Sequence, residues 1–264
     1  MNEDLYVEID IAAKALKVDF TGQELAQMAV DHRLSPEQLE AVSMVFGYLK
    51  QKKHDAVIST LLKMSRLPVK EPKTFDNYDF SRIHGHDADA VKNLTALAEV
   101  NARRNIAFIG PTGVGKTHLA KAYGRACCEQ GMKTYFLKAS ELNEKFTNAR
   151  KYGREDSCKN GLVKPTCLII DEIGKGHFDV TNTEMFFDLI DRQYSKEGPQ
   201  TTIMTSNLQP SQWKKYFEGT DDLLCALDRM FDEAEIFNIK GKSYRGRNCQ
   251  VFSAEVGPEG ADGN

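Results

Sequence analysis

No C-x-x-C pair occurs among the six cysteines (Cys127, Cys128, Cys158, Cys167, Cys225 and Cys249), so the spacing of a cysteine metal site is absent. They are expected to be reduced, mostly packed thiols. No N-terminal stretch resembles a secretory leader, and no apolar run reaches membrane-spanning length. Both absences point to a cytoplasmic protein without a membrane partner. There is no internal repeat. There is also no strong excess of either charge: a formal net charge of −3 does not advertise nucleic-acid binding, so any such contact must come from local patches. What is present is ordinary for a globular chain, with 41% hydrophobic and 28% charged residues. The 264 residues suffice for one medium domain plus a small appendage.

One stretch organises the rest. Gly110-Pro111-Thr112-Gly113-Val114-Gly115-Lys116-Thr117 matches G-x-x-x-x-G-K-[ST], the phosphate-binding P-loop. Glycines let backbone N–H groups wrap an anion closely. Lys116 supplies a charge to the β- and γ-phosphates, and the Thr117 hydroxyl can hold Mg²⁺. The flanks fit: Asn105–Ile109 is apolar and strand-like, and a helix is expected from His118 onward. Its N-terminus adds its own attraction for anions, so residues 110–118 are the expected nucleotide-binding set.

Strands and helices then alternate. Further strands are expected over Thr134–Lys138, Thr166–Glu172, Thr201–Asn207 and Ile236–Ile239, with helices from Ser140, from a capping box at Thr181–Glu184, and over Asp222–Phe231. Such alternation predicts a parallel sheet flanked by helices, with ligands at the carboxyl ends of its strands. Gly110, Asp171 and Asn207 all fall there. Asp171 is expected to hold Mg²⁺ and Glu172 to activate a water as base. Asn207 would sit between the γ-phosphate and that water. Arg229 and Arg245 would neutralise charge developing on the phosphate, one of them from a neighbouring subunit.

Residues 1–72 are expected to form a small all-helical module. Helices are predicted near Glu24–Val30, from the Ser35-Pro36-Glu37-Gln38 capping box through Leu49, and again over Val57–Leu62 to about Arg66. A module this small buries little surface alone, so it should dock on the ATPase core, a neighbouring subunit or a partner protein, as an oligomerisation or partner-docking domain. Pro68 and Pro72 mark a linker. The aromatic lead-in Phe75-Asp76-Asn77-Tyr78-Asp79-Phe80 could flank a purine or anchor the linker, and a helix should follow over Asp87–Arg103. His84 and His86 lack neighbours to complete a metal set. The ATPase domain would run over 73–250, with a disordered acidic tail over 251–264. Between the second strand and the acid pair, seven positive charges stand against four negative ones. Lys145, Arg150, Lys151 and Arg154 are its candidate DNA contacts, with Arg150 and Arg154 on one helix face.

With these residues assembled, the chain resembles the DnaC/IstB branch of the AAA+ ATPases, and within it the IstB-type helpers of insertion-sequence transposition. The resemblance spans about 73–247. It is carried by the aromatic lead-in, the P-loop, Leu168–Gly174, Asp188–Tyr194, Thr205-Ser206-Asn207, Leu227-Asp228-Arg229 and Ser243-Tyr244-Arg245. It implies a five-stranded parallel sheet with the fourth strand between the P-loop strand and the acid-pair strand. Asn207 then corresponds to sensor 1, Arg229 to an arginine finger acting on a neighbour, Arg245 to sensor 2, and the helix over Ser140–Tyr152 to an element near DNA. Only 25 residues follow Ile239, too few for the C-terminal helical lid of most AAA+ proteins. The expected activity is ATP hydrolysis with Mg²⁺ by a homo-oligomer on double-stranded DNA that recruits a transposase. A replicative helicase loader is the alternative. A small-molecule kinase would need a second pocket and an arginine-rich lid, and Glu172 argues against a non-hydrolysing switch.

Overall fold

The short apolar runs become one parallel sheet. Its strands are β1 (Ile106–Ile109), β2 (Thr134–Lys138), β3 (Cys167–Ile173), β4 (Thr201–Ser206) and β5 (Glu235–Asn238), in the order β2-β3-β4-β1-β5. The fourth strand lies between the P-loop strand and the acid-pair strand, as the resemblance implied. This computed structural model describes residues 2–219, 227, 229–232, 234–241 and 243. Arg245, most of the helix expected over Asp222–Phe231, and the tail over 251–264 lie outside the described residues.

Both faces of the sheet are covered, so its central strands β1, β3 and β4 are buried almost throughout rather than at alternate residues. Alternate residues enter different cores. Phe108, Ile169 and Ile203 pack beneath α6 (Lys116–Glu129) with Leu119 and Tyr123. Ala107, Ile170 and Met204 face the other way. There they meet Leu142 and Phe146 of α7 (Ala139–Lys151), Leu162 of α8 (Glu155–Val163), and Phe186 and Leu189 of α9 (Val180–Ser195).

Ahead of the sheet stand α1 (Asn2–Leu16), α2 (Gly22–Asp31) and α3 (Pro36–Met64). Thr21 with Glu24, and Ser35 with Gln38, form reciprocal capping boxes at α2 and α3. Two features differ from expectation. α1 was not anticipated. The predicted pair of helices across 36–66 is one helix of 29 residues. The polar segment Lys50–Ala56 interrupts the apolar stripe but holds no glycine or proline, so nothing breaks the helix. Its three-helix core is small, built on Ile9, Leu25 and Leu39. The end of α3 is tied to the sheet: the Phe136 N–H on edge strand β2 donates to the Ser65 carbonyl at 2.8 Å, and Arg66 pairs with Glu141 at 2.8 Å. The end of α3 thus covers the edge of β2.

Other boundaries move for local reasons. The helix expected over Asp87–Arg103 is broken into α4 (Ala88–Asn93), a 3₁₀ turn (Leu94–Ala96) and α5 (Ala98–Ala102). Leu97 adopts φ +54° at the break, where burial of Leu94, Leu97 and Val100 outweighs helical continuity. The N-cap of α9 is Asp179, accepting from the Asn182 N–H at 2.8 Å, rather than Thr181. Arg150 and Arg154 do not share a helix: α7 ends at Lys151, Gly153 turns the chain with φ +61°, and Arg154 is the N-cap of α8. Among the described residues no helix is long and apolar enough to cross a membrane.

Candidate nucleotide site

At the end of β1 the chain turns through Gly110 (φ +151°), Gly113 (φ +86°) and Gly115 (φ +102°) before α6 begins at Lys116. These are conformations glycine adopts far more readily than other residues. A side chain at Gly110 would also place a Cβ 2.0 Å from the Ile239 carbonyl oxygen. The loop therefore packs against the chain after β5 while its backbone opens toward the cleft. Lys116 is only 7% exposed. Its ammonium donates to the carbonyls of Gly110 and Pro111 and to Asn207 Oδ1, each at 2.8 Å. Asn207 Nδ2 in turn donates to Thr112 Oγ1 at 3.0 Å. The structure thus joins the P-loop to the end of β4, which the register places beside β1.

The acid pair is positioned from the same strand. Asp171 is 2% exposed, and its Oδ1 accepts from Thr117 Oγ1 at 2.8 Å and from Thr205 Oγ1 at 2.6 Å. Thr205 Oγ1 also accepts the Glu172 N–H at 3.0 Å. The β3–β4 register shifts between Ile170 and Ile173, and Glu172 takes φ +63°. Successive residues of a regular strand point to opposite faces. The irregularity lets Glu172 line the cleft one residue after Asp171. Left-handed backbone at a non-glycine residue costs about 1–2 kcal/mol, here held in place by Thr205.

Two lysines hold Glu172. Lys175 Nζ lies 2.6 Å from Oε1 and Lys138 Nζ 3.2 Å from Oε2. Lys175 first, then Lys138, keep the carboxyl below its usual range against the opposing effect of burial. Lys138 belonged to the basic stretch in the sequence, and nothing there separated it from a solvated charge. The roles of Lys175 and Thr205 were likewise not foreseen; the acid three residues before Lys175 was the only available signal.

The cleft has a volume of about 810 Å³ and is lined by Lys73, Tyr78, Thr112, Lys116, Glu172 and Asn207 among others. The aromatic lead-in anchors the linker and also reaches the cleft. Phe75 packs edge-on to Tyr123, with ring centroids 6.5 Å apart, as an anchor. Tyr78 is buried against Phe80 and His118, with centroids 4.9 and 5.2 Å apart, yet lines the cleft. His118 Nε2 meets the Thr74 carbonyl at 2.9 Å, and burial lowers its pKa, so the ring is neutral and donates from Nε2.

Other expected residues lie elsewhere. Arg229 donates to Asp191 Oδ1 at 2.6 Å. It lines a cavity with Asn105 and Gln200, which precede β1 and β4. That is the amino end of the sheet, one strand length of roughly 20 Å from Asn207. Arg150 is not a free cation: it pairs with Asp179 at 2.8 Å and donates to Asn182 at 3.1 Å. Lys145 lies over the Tyr135 ring and Lys151 over Tyr152, at 5.9 and 5.6 Å from the centroids. Arg154 is exposed.

The profile of the IstB-like ATP binding protein family matches residues 12–251. A protein of insertion sequence IS5376 from Geobacillus stearothermophilus, described as ATP-binding, is 36% identical over 194 residues, 74% of this chain and 75% of that one. An IS232 counterpart from Bacillus thuringiensis is 30% identical over 242 residues, 91% of this chain and 94% of its own. Among solved structures, AMPPCP-bound DnaA from Aquifex aeolicus superposes with a TM-score of 0.54 at 22% identity, covering 66% of this chain. The present chain spans about half of that DnaA, 51%. DnaI superposes with a TM-score of 0.53 at 16% identity, covering 65% of this chain and 90% of DnaI. These likenesses establish a shared P-loop AAA+ fold. With the loop, the acid pair and the strand order in place, the chain belongs to the IstB-like ATP-binding protein family.

Proposed function

We propose that the protein hydrolyses ATP in this cleft, and that the ATP state governs its assembly on double-stranded DNA and its recruitment of a transposase. The observation that carries this reading is the hydrogen-bonded set Thr117–Asp171–Thr205–Glu172, closed on the other side by Lys116–Asn207. The convergence of a hydroxyl and a carboxylate at 2.8 Å suits an oxygen-preferring Mg²⁺, which Thr117 and Asp171 would hold. When bound, that ion offsets charge on the β- and γ-phosphate oxygens.

The chain's own residues supply the rest. Residues 110–118 wrap the phosphates, with Lys116 turning from its loop carbonyls to the β- and γ-oxygens. Glu172 takes a proton from the attacking water once it leaves a lysine, and Asn207 orients that water. Arg229, at the far end of its own sheet, serves a neighbour's γ-phosphate, while Arg245 is assigned to its own subunit's phosphate. The site is therefore shared in a homo-oligomer. Lys145, Lys151 and Arg154, with Arg150 in a supporting role, contact the DNA backbone. Residues 1–72 form the oligomerisation and partner-docking module ahead of an ATPase domain over 73–250. The transposase partner follows from relatives named as insertion-sequence proteins. The same reading makes the protein cytoplasmic.

Mixed subunits test the shared site. Lys116→Ala should abolish binding of a fluorescent ATP analogue. Arg229→Ala should bind normally but hydrolyse poorly at every protein concentration. Mixing the two should restore part of the DNA-stimulated turnover, because each supplies what the other lacks. No recovery sinks the shared site. Capture of a replicative helicase instead of the transposase would reassign the client.

A further inference from the structure

The turn from α7 to α8 carries an exposed ring among basic residues. Tyr152, the C-cap of α7, is 63% exposed. The Lys151 ammonium lies over its ring, 5.6 Å from the centroid. Gly153 then turns the chain with φ +61°, and Arg154 follows, exposed. Lys145, Asn148 and Tyr152 are spaced i, i+3 and i+7, so they fall along one face of α7. The face turned to the core carries Leu142, Phe146 and Ala149 instead. Asn148 is exposed. The charges around this face are mixed. Asp156 is neutralised by Lys159 and Arg192, and Arg150 is spent on Asp179. Lys145, Lys151 and Arg154 are left against Glu144 and Glu155, a slight positive excess. Phosphates alone would be held weakly by so small an excess. What the face adds is uncharged: an amide that both donates and accepts, and an open ring. Those groups match a nucleobase, whose edge bears hydrogen-bonding atoms and whose faces stack on aromatic rings.

We propose that this face of α7 contacts bases as well as phosphates. Tyr152 stacks on a nucleobase at a partly unstacked step of duplex DNA, and Asn148 meets a base edge. Lys151 and Arg154 hold the neighbouring phosphates. A phosphate that draws Lys151 off the ring uncovers a face for the base, so the charge contact and the stacking contact form together. The inference rests on the reading of this segment as the DNA face. Every base offers a stacking face, so the contact does not depend on base identity. It favours steps that unstack easily, pyrimidine–purine steps above all.

Fluorescence anisotropy of the full chain on a labelled duplex, across a salt series, tests the contact. A second duplex carries 2-aminopurine at several pyrimidine–purine steps, where its emission rises on unstacking. Tyr152→Ala should weaken binding about tenfold at every salt concentration. The salt slope should stay as in wild type, because no charge is removed. The rise in 2-aminopurine emission should disappear with the ring. Tyr152→Phe should bind and unstack as wild type does. Tyr152 is exposed, so melts of both variants should match wild type. Undiminished binding by Tyr152→Ala overturns the base contact. So does saturating wild-type protein that leaves 2-aminopurine emission unchanged, a result that needs no variant. If Lys151→Glu with Arg154→Glu still weakens binding in either case, the DNA face stands without the ring. If wild type binds no duplex, or neither variant alters binding, the DNA face falls and the base contact falls with it.

Discussion

Lys175 Nζ sits 2.6 Å from Glu172 Oε1 while Lys138 Nζ closes on Oε2 at 3.2 Å, so each oxygen of this carboxylate meets an ammonium group. The pairing keeps the acid ionised, which a base requires, but places a competing cation on each oxygen where water would bind. Glu172→Gln should retain ATP affinity and lower turnover by at least about 100-fold. Unchanged turnover would remove Glu172 from the base role. Lys175→Ala should raise basal turnover several-fold at unchanged affinity, read in single-turnover assays. A fall would mean that Lys175 acts on the phosphate directly.

Thr205 is the hinge between the acids, donating to Asp171 and accepting from the Glu172 backbone. Thr205→Val keeps the shape and removes the hydroxyl. Asp171 retains Thr117 but loses one partner in a buried position, which should cost about 1–3 kcal/mol. Calorimetry should show the melting temperature falling by roughly 2–4 °C per kcal/mol. Thr205→Ser should recover most of the loss; if it does not, the hydroxyl is not the cause.

Arg150 and its basic neighbours should separate in DNA binding. Lys151→Glu with Arg154→Glu should weaken duplex binding and flatten its salt dependence, with the melting temperature unchanged. Arg150→Ala should instead lower stability, because Arg150 holds Asp179, the N-cap of α9. Fluorescence anisotropy across a salt series, paired with melts, distinguishes the two. Equal affinity for the double variant at all salts would take this segment off the DNA face.

His118 provides a pH test. Burial lowers its folded-state pKa from 6.5. Below that value the unfolded chain binds a proton that the folded one resists, so stability falls as pH drops from about 6.5 toward the folded pKa. Denaturant titrations should show this acid loss diminished in His118→Gln. Equal slopes in both proteins would show that His118 does not carry it.

Local signals were legible because they depend on sequence neighbours. The P-loop glycines, the apolar run before them, the paired acids after Ile170 and the Ser35–Gln38 cap each operate within a few residues. They made most element types and the nucleotide loop legible and brought Asp171 and Glu172 forward as candidates. Strand order was reachable only through the resemblance, since nothing in the run Thr201–Ser206 states which strands it will separate. Only the tertiary structure decided that Thr205 bridges both acids, that Lys138 and Lys175 converge on Glu172, and that Arg150 is paired with Asp179. It also set Arg229 at the opposite end of the sheet from its own P-loop. Apart from Lys175, which stands three residues from Glu172, these relations join segments far apart in the chain and are created by sheet register and by the irregularity that turns Glu172 into the cleft. A residue's own neighbours make its helix or strand, but what its side chain meets is set by what the fold places beside it.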